Sequence, residues 1–270
     1  MAIQNSINTN PGVFVALRTL NSVNRNLDTT QNRVSTGLKV GGALDDASNF
    51  AIAQGIRGEL KALGAVTQGL NNAKGIGNVA IAGATGLSNL LSDVRSKLTE
   101  LSNEGITSSQ RSILFNDFNQ LLSQAGNFLD NAVFNGVNLL DTAGAGSTNV
   151  NTLSNLNGGT LTLTVQDLRT TVVALQGVNT IGADNAAAAA NAQSVLSSAG
   201  TAQFTNLESA VNTALGSLGA EVRALNLQTT FLEQFSDATE EGLGNIVDAD
   251  LARESPRLTS LQVQQQLSTQ

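Results

Sequence analysis

The sequence lacks the side chains on which most enzyme active sites depend. Its 270 residues include no cysteine, histidine, tryptophan or tyrosine, and its aromatic residues are nine phenylalanines, 3% of the chain. Without histidine and cysteine there is no common general base, no soft metal ligand, no thiol nucleophile and no disulfide. We therefore expect no enzyme, no catalytic or metal site and no cofactor.

Positive charge and long apolar runs are scarce as well. The 14 Lys and Arg residues are outnumbered by 21 Asp and Glu, which gives a net charge of −7 and argues against a phosphate-binding surface. No run of about eighteen apolar residues is present to span a bilayer. The first eleven residues have neither the basic region nor the apolar region of a cleaved signal peptide. We expect no nucleic-acid partner, no membrane insertion and no cleaved signal.

Two segments near the ends of the chain carry apolar residues at intervals of seven. The first repeat is Val13, Leu20, Leu27 and Val34, and the second is Phe204, Val211, Leu218, Leu225 and Leu232. Such repeats are typical of helices that pack along other helices. Burying one Leu or Val is worth about 1.5–3 kcal/mol, so each helix needs a partner. The sequence predicts a mostly α fold, a long antiparallel helical bundle or coiled coil with a small central region that contains a β-hairpin.

The first half of the chain predicts three helices and a tight turn. The first helix covers about 13–38 and ends at Gly37, and Asp45 and Asp46 cap a second, possibly bent helix that continues to Leu101. A third helix over about 114–132 returns antiparallel to the second. The pair Asn135-Gly136 between apolar residues then predicts a β-hairpin turn.

The second half is less well specified. Residues 142–201 are rich in Gly, Ala, Asn, Ser and Thr, and the alternation of Leu161, Leu163 and Val165 indicates a strand or hairpin. The alanines of 186–190 fit a short exposed helix or a loop equally well. A helix over 205–236, a joint at 240–244 and a last helix follow, and Pro256 is expected to kink that helix or to set its start.

Three other motifs have simpler structural explanations. Gly75-x-Gly77 resembles part of a dinucleotide fingerprint, but no strand precedes it. The acidic pairs at 45–46 and 248/250 lack the spacing of a calcium loop and fit helix capping. The glutamines of 262–266 lie between Leu261 and Leu267 at helical spacing, which favours a packed helix. The heptad repeats by themselves fit a self-assembling fibre and a monomeric bundle equally well.

Several linked motifs resemble those of the bacterial flagellins. At the front these are residues 6–10, 16–21, 33–40 and 45–48, with the sequences SINTN, ALRTLN, RVSTGLKV and DDAS. The turn motif FNGV at 134–137 and the carboxy-terminal motifs IVDADLA at 246–252 and LQVQQQL at 261–267 also match. The resemblance covers residues 1–140 and 204–270.

The resemblance implies a structural subunit of a swimming filament, secreted to the extracellular flagellum without a cleaved signal peptide. Its partners would be other copies of itself, a flagellar export chaperone, and the hook-filament junction and cap proteins. Both terminal helices would pair as a coiled coil that lines a hollow core, surrounded by a tube of longer helices. The two ends would be disordered in the monomer and helical in the polymer, because pairing them closes a very long loop.

The resemblance also divides the chain. It implies an N-terminal inner-core helix over 1–40, the N-terminal part of a tube domain over 41–140, a variable surface-exposed region over 141–203, a C-terminal tube helix over 204–240, and a C-terminal inner-core helix over 241–270 that stops short of the usual family end.

Two sets of apolar residues are the candidate functional residues. The subunit-interface set is Val13, Leu17, Leu20, Leu27, Val34, Leu38, Leu243, Val247, Leu251, Leu258 and Leu261. The tube-packing set is Ile56, Leu63, Leu87, Val94, Leu101, Phe118, Leu121, Phe128, Val211, Leu218, Leu225 and Leu232. An alternative function is a flagellin-like cell-surface adhesin that holds a polysaccharide on residues 142–201, whose hydroxyl and amide side chains suit sugar binding.

Overall fold

The computed structural model describes residues 10–142, 144, 148–182, 186–197 and 203–269. Residues 1–9 of the amino-terminal end, which is expected to be disordered in the monomer, lie outside this part. The helices are α1 (Pro11–Thr36), α2 (Ala47–Leu101), α3 (Ser108–Asn131), α4 (Arg169–Gln176), α5 (Ala186–Leu196), α6 (Gln203–Val247) and α7 (Leu251–Thr269). The strands are β1 (Val133–Phe134), β2 (Val137–Asn138), β3 (Val150–Leu153) and β4 (Thr160–Leu163). The mostly α class with a small β-hairpin region is confirmed.

The chain forms two compact units. Unit 1 comprises Met1–Ala62 and Gln234–Gln270, and unit 2 comprises Leu63–Glu233. The boundaries between the units therefore fall within α2 and α6.

In unit 1, nearby residues determine where α1 begins and ends and where α2 begins. The Asn10 side chain accepts a hydrogen bond from the Gly12 N–H over 2.9 Å at the start of α1. Gly37 ends α1 with φ of 73°, which glycine adopts without the steric cost of a Cβ. The Asp46 carboxylate caps α2 by accepting from the Ser48 and Asn49 N–H groups over 3.1 and 3.0 Å.

In unit 2, α2 and α3 form the predicted helical hairpin. Thr107 and Gln110 make a capping box that starts α3, with the Gln110 N–H donating to Thr107 Oγ1 and Thr107 N–H donating to Gln110 Oε1. The buried Arg111 donates to the carbonyl of Leu101 over 2.6 Å and to that of Asn103 over 3.0 Å. These bonds satisfy carbonyls left free at the end of α2, so they fix the turn between the helices.

Two short β-hairpins follow α3 in the chain. β1 pairs with β2 antiparallel, and the two turn residues, Asn135 and Gly136, have φ of 50° and 78°. Positive φ at both positions is the type I′ geometry that the Asn-Gly pair predicts. β3 pairs with β4 antiparallel, with Val150 opposite Leu163. The predicted strand is therefore present as one half of a hairpin, but it ends at Leu163, so Val165 lies beyond it.

One hydrophobic core runs through unit 2. It joins α2, α3 and α6 through buried residues that include Leu87, Phe118 and Leu218. The helices α2 and α3 approach closely at Gly83, where an added Cβ would lie 2.8 Å from the Cβ of Ala132. The small residues therefore set the distance between the two helices.

The central region contributes to this core more than composition predicts. Val172 and Leu175 of α4 and Ile181 of the short 3₁₀ turn Asn179–Gly182 are buried in the unit 2 core. The alanines at 188 and 189 of α5 are fully buried, so the expectation of an exposed helix or a loop at 186–190 is wrong. Alanine side chains are small enough for close packing, although they form no visible apolar stripe.

Two expectations about the carboxy-terminal segment are also corrected. The helix α6 continues unbroken to Val247, so the joint lies at residues 248–250 and not at 240–244. The reason is tertiary packing, because Leu243 and Val247 are buried against Val40 and Ala53. The last helix starts at Leu251, five residues before Pro256, so Pro256 does not set its start.

Candidate subunit interface

The two terminal helices of unit 1, α1 and α7, contact each other. Val23 and Leu27 of α1 are buried together with Leu261 of α7, and Leu258 packs against them half-buried. The Gln265 side-chain amide donates to Asn24 Oδ1 over 2.9 Å. Nearer the other end of the pair, Arg33 and Glu254 form an ion pair. Asn24 contacts Gln265, whereas Arg33, later in α1, contacts Glu254, earlier in α7. The two helices are therefore antiparallel.

The ion pair between Arg33 and Glu254 is the main polar contact between these helices. Arg33 Nη1 lies 3.2 Å from Glu254 Oε1, and the two side chains are 29% and 13% exposed. The second carboxylate oxygen of Glu254 and Nε of Arg33 are buried and lack a hydrogen-bond partner among the described residues. Because these charges are only partly satisfied, we expect the pair to disfavour other registers of the two helices, in which more charge would be left uncompensated.

A backbone clamp fixes the segments that follow α1 and α6. The Lys39 and Val40 N–H groups donate to the carbonyl of Val247 over 2.7 and 3.2 Å, and the Ala249 N–H donates to the carbonyl of Gly37 over 2.8 Å. These bonds satisfy the Val247 carbonyl, which is one of the carbonyls left without an intrahelical partner at the end of α6. Beside the clamp, the Asp45 carboxylate accepts from the N–H groups of residues 41 and 42, both over 3.0 Å.

The predicted subunit-interface residues fall into three groups by exposure. Buried members are Leu27, Leu243, Val247 and Leu261, half-buried members are Leu20, Val34, Leu38 and Leu258, and exposed members are Val13, Leu17 and Leu251. The structure does not bring them into one stripe. Leu243 and Val247 lie on α6 in a cluster with Val40, whereas Leu261 lies on α7 in a cluster with Leu27. The prediction of a single last helix carrying all five carboxy-terminal members is therefore wrong.

The predicted tube-packing residues are mostly buried. Nine of them lie in the unit 2 core: Leu63, Leu87, Val94, Leu101, Phe118, Val211, Leu218, Leu225 and Leu232. Leu121 and Phe128 are half-buried. Ile56 is half-buried in unit 1, where it packs against the cluster around Val40.

Sequence reasoning missed four residues of this region. Phe14 and Val15 are 50% and 58% exposed beside Val13 and Leu17. Neither residue belongs to the repeat at intervals of seven. The only local sign of their role is that residues 13–17 are all apolar. Arg33 and Glu254 were missed because their pairing spans 221 positions, and no local pattern links them.

Other kinds of site find no support among the described residues. They contain no group of three or more His, Cys, Asp or Glu side chains that could hold a metal ion. In the same part of the chain, no helix is long and apolar enough to cross a membrane.

Two protein-family models match this chain, one near each end. A model of the bacterial flagellin N-terminal helical region matches residues 7–145, and a model of the bacterial flagellin C-terminal helical region matches residues 201–270. The chain belongs to the bacterial flagellin family. This flagellin is a structural subunit that polymerises with copies of itself into the extracellular flagellar filament, and it is not an enzyme.

Individual relatives agree with this assignment. Flagellin FljM of Caulobacter vibrioides is 34% identical over 266 residues, which is 98% of this flagellin and 93% of the relative. A flagellin of Brucella melitensis is 32% identical over 98% of this chain and 93% of its own. The crystal structure of Bacillus cereus flagellin has the same fold, with a TM-score of 0.51 and 19% identity over 61% of this chain and 88% of that one. None of these findings favours the adhesin alternative.

Proposed function

We propose that α1 and α7 make the inner contacts of the filament, and that neighbouring subunits cover their exposed apolar residues. The supporting observation is how little the two helices bury. Although they contain 26 and 19 residues, the hydrophobic residues buried between them are Val23, Leu27 and Leu261. The pairing of α1 with α7 therefore leaves large apolar side chains of both helices exposed.

The uncovered apolar residues form the proposed contact surface. On α1 they are Val13, Phe14, Val15 and Leu17, which are 52%, 50%, 58% and 49% exposed, and on α7 they include Leu251, Val263 and Leu267. The four residues of α1 lie within two turns of one helix, and a cluster of exposed apolar residues is typical of interaction sites in proteins. The half-buried Leu20 and Leu258 complete the surface.

This proposal keeps the two-layer scheme of the family. The inner layer comprises residues 1–40 and 241–270, the surrounding tube comprises 41–140 and 204–240, and residues 141–203 face outward. The buried tube-packing residues support the tube assignment because they hold α2, α3 and α6 together within one subunit. Before assembly the inner helices have few stabilising contacts, so we expect them to be disordered in the monomer and helical in the polymer.

The test is a charge placed in the proposed inner contact. Leu20→Asp would put an unpaired carboxylate into a buried seam, which costs several kcal/mol at every repeated contact. We expect export to continue and filaments to be absent in sedimentation and electron microscopy. Asn21→Asp is the matched control, because residue 21 is exposed on the neighbouring face and the added charge is the same. Normal filaments from Leu20→Asp would refute the placement.

Export and accessory contacts complete the proposal. We infer that the chain leaves the cell without cleavage of a signal peptide, and that an export chaperone, the hook-filament junction proteins and the cap protein are its further partners. Family membership supports these assignments. Mass spectrometry of the secreted subunit should find the amino-terminal residues present, and a mature start downstream of residue 12 would contradict uncleaved export.

A further inference from the structure

The chain contains two Asn-Gly pairs, Asn135-Gly136 and Asn157-Gly158. Each lies in the turn of a β-hairpin, the first between β1 and β2 and the second between β3 and β4. An asparagine that precedes glycine can lose its side-chain amide without an enzyme, because the glycine nitrogen can attack the asparagine Cγ. Glycine favours this attack, since it has no Cβ to hinder the approach. The reactivity of each pair in the folded chain then depends on how firmly its turn holds the backbone.

The attack closes a five-membered ring. The ring consists of the glycine nitrogen together with the backbone carbonyl carbon, Cα, Cβ and Cγ of the asparagine. To reach Cγ, the glycine nitrogen must rotate about the Cα–C bond of the asparagine until it lies on the same side as Cβ. A backbone that is fixed in another conformation therefore protects its asparagine from the reaction.

The turn at Asn135 is fixed in this way. Asn135 has φ of 50° and is the first central residue of a two-residue type I′ turn, which needs left-handed backbone at both positions. Directly after the turn, the buried Asn138 side chain donates to the Leu129 carbonyl over 2.7 Å and accepts from the Leu140 N–H over 2.8 Å. Rotation at Asn135 would therefore require the hairpin to open.

The turn at Asn157 is longer and leaves the reacting groups free. Six residues, 154–159, separate β3 from β4. The N–H groups of Asn157 and Gly159 donate to Asn155 Oδ1 over 3.0 and 2.9 Å. Within the described residues, the Gly158 N–H between them and the Asn157 side-chain amide make no hydrogen bond. Asn157 is also exposed to water.

We propose that Asn157 is a site of spontaneous deamidation in the folded chain and that Asn135 is protected by its hairpin. The Gly158 nitrogen forms a bond to Cγ of Asn157, and the side-chain nitrogen leaves as ammonia together with the proton of the Gly158 N–H. Water then opens the cyclic imide at one of its two carbonyl carbons. Opening at Cγ gives aspartate, and opening at the backbone carbonyl gives isoaspartate.

Either product adds one negative charge to an exposed loop of a chain whose net charge is already −7. Isoaspartate also lengthens the main chain by one carbon, because the chain then passes through Cβ. The start of the loop is tied to α6, since the Gln228 side chain donates to the Ser154 carbonyl over 2.7 Å. We therefore expect the change to stay within the loop. The reaction needs only the folded chain and water, so the proposal does not depend on the inner contacts of the filament.

Peptide mapping of the full chain tests the proposal. The folded protein is incubated in heavy-oxygen water at mildly alkaline pH, and mass spectrometry with electron-transfer fragmentation locates each product. We expect aspartate and isoaspartate at position 157, both carrying heavy oxygen. Conversion of Asn135 should be at least about tenfold slower, because local opening of its hairpin must precede the reaction. An unchanged Asn157, or equal rates at Asn157 and Asn135, would overturn the proposal.

Two controls separate the effect of the turns from intrinsic reactivity. In concentrated urea both pairs are unfolded, so Asn157 and Asn135 should convert at similar rates. A difference in urea as large as that in the folded chain would contradict protection by the hairpin. Asn155 is exposed in the same loop but precedes Leu156, whose side chain hinders the attack, so it should stay unchanged. Conversion of Asn155 as fast as that of Asn157 would contradict the role of Gly158.

Discussion

Arg33 on the first helix and Glu254 on the last helix are 221 positions apart in the sequence, and their charged groups lie 3.2 Å apart. The pair joins the two ends of the chain at one register. Because Glu254 is only 13% exposed, removing either partner leaves a partly buried charge uncompensated.

Glu254→Gln should therefore weaken the pairing of α1 with α7. We expect the free energy of pairing to fall by about 1–2 kcal/mol per subunit. This is less than for a fully buried ion pair, because Arg33 is 29% exposed and water screens its charge. Calorimetry of filament melting measures it. Arg257→Gln is the control, since Arg257 lies 3.9 Å from Glu254 and is 55% exposed. Equal effects of the two substitutions would argue against a role for the Arg33 pair in setting the register.

Gly83→Ala should destabilise unit 2. The new Cβ would lie 2.8 Å from the Cβ of Ala132, which is fixed to the backbone, so α2 and α3 would have to separate. Overpacking of this kind costs about 1–3 kcal/mol. Urea unfolding measures the free energy of unfolding. Gly64→Ala is the matched control in the same helix, with nothing within 4 Å, and it should stabilise the protein by about 0.5–1 kcal/mol. A stabilising Gly83→Ala would mean that the helices are not in close contact there.

The helix cap at Asp46 predicts a pH dependence. Hydrogen bonds from the Asn49 backbone and side chain hold the pKa of the Asp46 carboxyl below its ordinary value of 3.8. A lowered pKa means that the cap stabilises the folded state above pH 3.8 and that this contribution is lost as the pH falls through the folded pKa. The melting temperature of wild type should exceed that of Asp46→Ala by a constant margin between about pH 7 and pH 5, and the margin should shrink toward about pH 3. A margin independent of pH would contradict the ionised cap.

Local signals predicted several elements because the chemistry that forms them is contained in a few adjacent residues. Asn135-Gly136 adopts positive φ at both positions, and Gly37 ends α1 in the left-handed conformation. Neither depends on a distant partner, so the sequence alone specifies both.

Distant packing explains what sequence reasoning missed. The helix α6 passes through Gly242 and Gly244 because Leu243 and Val247 are buried against Val40 and Ala53, far away in the sequence. The burial of α5 also depends on distant packing. A run of alanines has no alternation of apolar and polar residues, so the sequence does not show which side of the helix is buried. The polar pair of Arg33 and Glu254 could not be predicted either, because each residue alone resembles an ordinary surface charge.

Assembly through the proposed inner contacts requires that other subunits cover the first turns of α1 in the filament. The chain contains no cysteine, so Leu17→Cys introduces one unique thiol. Asn157→Cys provides an exposed control in the region that we propose faces outward. The measurement is the rate of maleimide labelling in the monomer and in the filament. We expect the Leu17→Cys thiol to be labelled rapidly in the monomer and to be strongly protected in the filament, whereas the Asn157→Cys thiol stays reactive in both. Equal labelling of position 17 in monomer and filament would contradict it.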